Sequence, residues 1–293
     1  MTDLTTLPEP KRLLLLRLVD ELRLIDGVVA VVLGGSYAAG TAHQASDLDI
    51  GLYYSEARPF SIAAIRRVAE GISTEGAPTV TDFYGWGAWV NGGAWILSAS
   101  GKVDFLYRNL EQVRRTIAEA SLGTVHHDYC QQPTYGFTSL IYLAETHYCL
   151  PVYDPQGVIA TLKRLVAVYP PVLKQKVVAS SLWLAEFTLL HAHDFAAWGD
   201  TYNTVGCLTR VVSFLTQALF ALNERYFPGD KRVTETLARF GRIPLDYVSR
   251  VHRVLACPGG TVPDLTRTVE ELEGVWRSVA ELCADFYTPQ LGT

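Results

Sequence analysis

The sequence predicts an α+β protein: a mixed sheet with flanking helices over residues 1–120, followed by an all-helical domain over residues 121–293. Three observations predict this. Residues 28–33 (VVAVVL) form a continuous, mainly β-branched run, too short for a helix, that ends in Gly34 and Gly35 and reads as a buried central strand. Residues 46–54 (SDLDIGLYY) alternate Asp47 and Asp49 with Leu48 and Ile50, the period of a strand whose polar face carries two carboxylates. From about Asn109 onward the apolar spacing becomes helical, punctuated by prolines and Gly-Asp turns.

The remaining elements follow in chain order. After Pro8 and Pro10, KRLLLLRLVDELRLIDG predicts one amphipathic helix stopped by Asp26 and Gly27. Residues 59–73 predict a second, with Ser61 as its cap and Ile62, Ile65, Val68, Ala69 and Ile72 as its apolar side. Residues 79–108 are rich in aromatic and small turn residues, which predicts antiparallel strands with a hairpin at Ser100 and Gly101. Trp86, Trp89 and Trp95 are expected to pack against that sheet. Helical patterns then occupy NLEQVRRTIAEAS, TSLIYLAETHYC, residues 172–198 and residues 201–227. The change from strand to helix falls between residues 109 and 137, and the boundary is set at 120/121.

Composition narrows the function. With 49% hydrophobic and 19% charged residues the chain can bury a sizeable core and is not a disordered tail. A net charge of −5, from 25 Lys and Arg against 30 Asp and Glu, argues against a surface that neutralises a nucleic-acid backbone. The five cysteines are odd in number and lack a CxxC pair, so reduced thiols are expected rather than disulfides or zinc knuckles. His126-His127-Asp128 and His191-x-His193-Asp194 are not expected to bind zinc, since the first lies in a loop and the second pair falls on different helix faces. The first residues carry acids and two prolines, unlike a secretory leader, and no uninterrupted apolar stretch suits a membrane span; a cytoplasmic protein without a membrane partner is expected.

The chemistry concentrates in LGGSYAAGTAHQASDLDIGLYY. Two glycines allow the backbone to approach a phosphate closely, and the Ser36 hydroxyl can donate to a phosphate oxygen. Ten residues separate Ser36 from Asp47, and Asp47 and Asp49, alternate residues of one strand, can share a magnesium ion, which prefers hard oxygen ligands. A third carboxylate is expected at Asp104, inside KVDFL, because a buried strand rarely tolerates an unpaired acid. Loop acids such as Asp82 and Asp128 fit less well.

Gly35-Ser36, Asp47-x-Asp49 and the later Asp104 together resemble the nucleotidyltransferases of the DNA polymerase beta superfamily. The resemblance is specific over roughly residues 28–108. It is similar in flavour to the minimal nucleotidyltransferases and to the small-molecule branch containing the kanamycin and streptomycin adenylyltransferases. It implies transfer of AMP from ATP to a hydroxyl, with release of pyrophosphate and two magnesium ions. Gly35 and Ser36 would hold phosphate, Asp47 and Asp49 would hold metal, and Asp104 would complete the metal site or accept the proton. Lys231, at a turn, resembles a phosphate-contacting lysine of the helical domain in some relatives. Glu145 would serve as general base, a role that some antibiotic-modifying relatives assign to their helical domain. Where many minimal members have Arg, this chain has Ala39, one cation fewer in the turn.

The resemblance implies an ATP and metal site where the two domains meet, with a small hydroxylated acceptor, first among them an aminoglycoside-like compound. Two alternatives are AMP transfer to a protein partner and a degenerate nucleotide-binding regulator without turnover. A serine-hydrolase elbow at Gly34-Gly35-Ser36-Tyr37-Ala38 would need a late histidine such as His252 and has no use for Asp47-x-Asp49.

Overall fold

The computed structural model describes residues 4–43 and 45–291. In chain order the elements are α1 (Glu9–Leu22), β1 (Ala30–Leu33), α2 (Gly35–Ala38), β2 (Leu48–Tyr54), α3 (Ile62–Ile72), β3 (Thr79–Val80), β4 (Gly93–Ser98), β5 (Gly101–Asn109) and α4 (Leu110–Ser121). There follow β6 (His127–Asp128), β7 (Phe137–Thr138), α5 (Leu140–Tyr148), β8 (Leu150–Tyr153), α6 (Val158–Leu165), α7 (Pro171–Ala197), α8 (Thr201–Leu222), α9 (Val233–Leu237), α10 (Tyr247–Ala256) and α11 (Val262–Leu282). The expected fold class holds: a mixed sheet with flanking helices comes first and a large helical portion follows.

The chain divides into two compact units, one of residues up to Glu119 with His126–Val168, the other of Ala120–Val125 with residues from Tyr169 onward. This differs from the expected division at 120/121, and residues 121–168 are not purely helical. The reason is β8, which pairs antiparallel with β1 and closes that side of the sheet. Pro151 sits in this strand opposite Val32, where the register shifts; an edge strand tolerates the missing amide donor of a proline.

In the first unit six strands lie in the order β3-β4-β5-β2-β1-β8. β2 and β5 are parallel, and the other neighbours are antiparallel. Alternation sorts the two faces. Leu48, Ile50, Leu52 and Tyr54 of β2 and Val103, Phe105 and Tyr107 of β5 join Leu15, Leu18 and Leu22 of α1 and Ile65, Ala69 and Ile72 of α3 in one buried core. The α3 cap is the expected one, Ser61 accepting from the Ala64 amide. The residues between, Asp49 on β2 and Asp104 on β5, therefore share the opposite face.

The second unit is helical: α7 packs against α8 and α11, and α10 packs against α11. Trp276 is fully buried, with its indole N–H donating to the Leu182 carbonyl at 3.3 Å. Buried Glu186 accepts from the Tyr287 hydroxyl and from the amides of Gln290 and Leu291, which ties the chain after α11 to α7. The helix predicted over 201–227 stops at Leu222, where Asn223 caps it and its amide side chain accepts from and donates to Arg242 of the following loop. By length and composition α8 is the one helix among the described residues that could cross a membrane, but half of its most apolar window is buried inside the protein, as in a core helix.

All five cysteines are free. Burial pushes the thiols of Cys149 and Cys283 up to about 11, whereas Cys130 and Cys257 are exposed. At pH 8 a thiol of that pKa is only about one part in a thousand thiolate. Iodoacetamide at pH 8 is therefore expected to alkylate Cys130 and Cys257 and to spare Cys149 and Cys283 until the protein unfolds, read by mass spectrometry of the peptides.

Candidate active site

The parallel register of β2 and β5 sets Asp49 directly beside Asp104. Asp47, two residues earlier on the chain, falls on the same face. So does Lys102, two residues before Asp104, and its ammonium is 3.1 Å from Asp47 Oδ2 and 3.0 Å from Asp104 Oδ2. Asp47 and Asp49 are half-buried, and Asp104 is buried. Burial works against the Lys102 charge, but hydrogen bonds with Asp104 and Asp47 outweigh it and raise its pKa above that of an ordinary lysine.

Asp49 has a different neighbour, the glycine turn. The Gly34 amide donates to the Asp49 carbonyl at 2.8 Å, which holds the end of β1 against β2. Gly35 adopts the left-handed backbone, φ 58°, and a Cβ there would lie 1.8 Å from Asp49 Oδ2. The second glycine is thus required twice, for its backbone conformation and for the carboxylate that occupies its side-chain space. Half-buried Ser36 follows in α2, and its carbonyl accepts from the Thr41 amide at 2.9 Å.

The loop before Asp47 is anchored from α1. Buried Lys11 donates to the Ser46 carbonyl, and its ammonium stands 5.3 Å from the Tyr37 ring centre. Ser46 also closes a turn with His43, donating its amide to the His43 carbonyl and accepting the His43 amide on its hydroxyl, both at 2.9 Å. Ser46, directly before Asp47, is thus held on both sides. The sequence reading missed Lys11 and Lys102. The signal for Lys102 was present, because a period of two in KVDFL puts it on the face of Asp104.

Glu145 has another partner, and Lys231 belongs to the second unit. Glu145 on α5 grips Arg108 through both carboxylate oxygens, at 2.6 and 2.7 Å. Arg108 is four residues beyond Asp104 on β5, about 13 Å along a strand. Both Glu145 oxygens are thus taken by Arg108, away from the acid cluster, which is not where the expected general base would stand. Lys231 lies exposed in the second unit, in the turn ahead of α9. The tryptophans also divide. Trp89 packs on Phe137 of β7 and Tyr142 of α5 rather than on the expected sheet, and Trp95 is 47% exposed and stacks on Trp86 with ring centres 4.2 Å apart.

A divalent cation is the group this arrangement implies. The donor set suits it: carboxylate oxygens only, on one sheet face, with Asp47 and Asp104 already sharing one positive charge within hydrogen-bond distance. Among the described residues, however, no three His, Cys, Asp or Glu side chains are gathered tightly enough to hold one ion. Lys102 bridges two of the three carboxylates, while Asp49 is turned to Gly35.

The fold and these residues define a mixed-sheet α+β domain that presents three acids beside a glycine turn. Residues 15–85, which contain Gly35, Ser36, Asp47 and Asp49, match the family model of the nucleotidyltransferase domain. Over that segment the first unit is thus similar to a nucleotidyltransferase domain, the class its motif resembles. Asp104, Lys102 and Trp95 lie beyond the matched segment. Among solved structures, the chain is similar to a nucleotidyltransferase-like protein from Exiguobacterium sibiricum 255-15, with 8% identity and a TM-score of 0.43 over 94% of this chain and 79% of that one. A search of curated proteins returned no match.

Two variants test this geometry. Gly35→Ala is expected to cost at least about 1–3 kcal/mol in urea unfolding, because it forces a side chain into a left-handed conformation and into Asp49. Glu145→Gln is expected to cost about 1–3 kcal/mol by weakening a charged hydrogen-bonded pair around buried Arg108. Unchanged stability of Glu145→Gln would return Glu145 to the candidate bases.

Proposed function

We propose that this protein transfers a nucleoside monophosphate, AMP from ATP, to a hydroxyl of a small molecule, with magnesium ions held by Asp47, Asp49 and Asp104. The observation that carries this reading is the in-register pairing of Asp49 with Asp104 beside the Gly35 turn. When bound, the metal would supply charge neutralisation for the triphosphate and for the oxygens of an in-line displacement.

The chain's own groups do the rest. Gly34, Gly35 and Ser36 offer a close, hydroxyl-bearing approach for the phosphates next to Asp49. The acceptor hydroxyl oxygen attacks the α-phosphorus, the bond from that phosphorus to the α–β bridging oxygen breaks, and pyrophosphate leaves. Asp104, buried beside Lys102, would take the hydroxyl proton. Lys102 neutralises part of the acidic cluster and compensates for the absence of a cation at Ala39.

The test is incubation with α-labelled ATP, magnesium and a panel of hydroxylated compounds, scoring pyrophosphate release and labelled product. Asp49→Asn is expected to lower the rate on the order of 1,000-fold, equivalent to about 4 kcal/mol, with the fold intact by circular dichroism. A rate that survives this substitution, or no turnover with any panel member by the unaltered protein, would overturn the reading.

A further inference from the structure

The row of paired residues across the sheet does not stop at Asp104. On β4, Trp95 lies directly opposite Asp104 and Leu97 directly opposite Lys102, both on the face of the carboxylates. Both side chains are about half exposed, at 47% and 48%. Trp95 uses one ring face on Trp86, 25° from parallel. The place of Trp86 is fixed. Gly93 leaves room for it, since a Cβ there would come 2.8 Å from its ring. Its loop is tied by Gln131, which donates to the Trp86 carbonyl at 2.8 Å and accepts the Trp89 amide at 2.6 Å. A preformed indole stack therefore stands beside the acid cluster.

Its position says which substrate it serves. The glycine turn leaves β1 on one side of the carboxylates, and Trp95 stands on β4, on the other side, in the strand order β4-β5-β2-β1. Under the reading proposed above, on which this inference rests, the triphosphate lies between the turn and the acids. An in-line nucleophile must then arrive from the side away from the leaving group, which is the side of Asp104 and Trp95. We infer that Trp95, backed by Trp86, is the platform for the acceptor: a ring compound of the glycoside kind, whose apolar face stacks on the indole while one of its hydroxyls points to Asp104. An indole face suits such a ring because it offers broad apolar contact without demanding a hydrogen-bond partner. The neighbouring Leu97 widens the apolar surface, and Lys102 and Asp104 supply the polar contacts at its edge.

The experiment uses the full chain with 5-fluorotryptophan, its six fluorine resonances assigned by single Trp→Phe variants. Phenyl β-D-glucopyranoside and methyl β-D-glucopyranoside are titrated with and without magnesium and α,β-methylene ATP. The Trp95 and Trp86 signals are expected to move with the glycosides and to stay within line width with the nucleotide alone. Trp95→Ala is expected to weaken glycoside binding about tenfold and to leave nucleotide binding within about twofold, with Trp95→Phe retaining most of the affinity. Movement of Trp95 on addition of nucleotide alone would make it a nucleobase platform and overturn the inference. So would a Trp95 signal that ignores both glycosides. Failure of the parent reading looks different, because absence of pyrophosphate release leaves the fluorine titration to decide the platform by itself.

Discussion

Everything at the candidate site depends on the parallel pairing of β2 with β5. In a parallel pair, residues in register present their side chains to the same face, so the pairing that opposes Leu48 to Val103 also brings Asp49 next to Asp104. A slip of one residue would turn Asp104 into the core and Phe105 out of it. The core forbids that slip. Leu48, Ile50 and Leu52 on one strand and Val103, Phe105 and Tyr107 on the other are all buried against α1 and α3, so the apolar face holds the acidic face in register. The hydrophobic residues thus specify where the carboxylates stand, although none of them touches the chemistry.

The acidic cluster in turn has an electrostatic cost, and two features position its acids. Lys102 contributes one ammonium to two carboxylates, and Asp49 is set against the backbone of the Gly35 turn. The first is a side-chain contact, with Lys102 39% exposed. The second is built into the backbone conformation of Gly35 and cannot be undone without rebuilding the end of β1.

Much of this was legible in the sequence, for physical reasons that vary by residue. Asp47 and Asp49 could be placed on one face because a strand has a strict period of two, and Gly35 could be singled out because a sharp turn after a buried strand needs it. The third strand acid was found from the improbability of an isolated carboxylate inside KVDFL. What could not be read was tertiary. Leu150-Pro151-Val152-Tyr153 looks like a connection after a helix, and only the unpaired edge of β1 makes it a strand. Glu145 sits in a helical pattern that says nothing of Arg108, since their pairing joins positions 37 residues apart. Trp95 was expected to pack against the sheet by residue type, but its strand position leaves it half exposed on the face opposite the core, as the burial of Ala94 and Ile96 on either side requires.

The second face of the sheet has two ends with opposite characters, and only one of them leaves its charged groups accessible to a ligand. At the far end Arg108 is buried, and its guanidinium is satisfied by Glu145 and by the carbonyls of Val90 and Tyr107. Every strong donor there is committed, and α5 supplies the carboxylate. At the near end Asp47, Asp49, Lys102 and Trp95 retain solvent access. A charged pair that is fully matched and covered stabilises a fold but has little left to offer a ligand. An acid cluster that shares one ammonium and borders a half-exposed indole keeps both charge and apolar surface available. The same strand, β5, carries Asp104 and Arg108 on one face, four residues apart, so the buried ion pair and the acid cluster are separated by about 13 Å of extended chain.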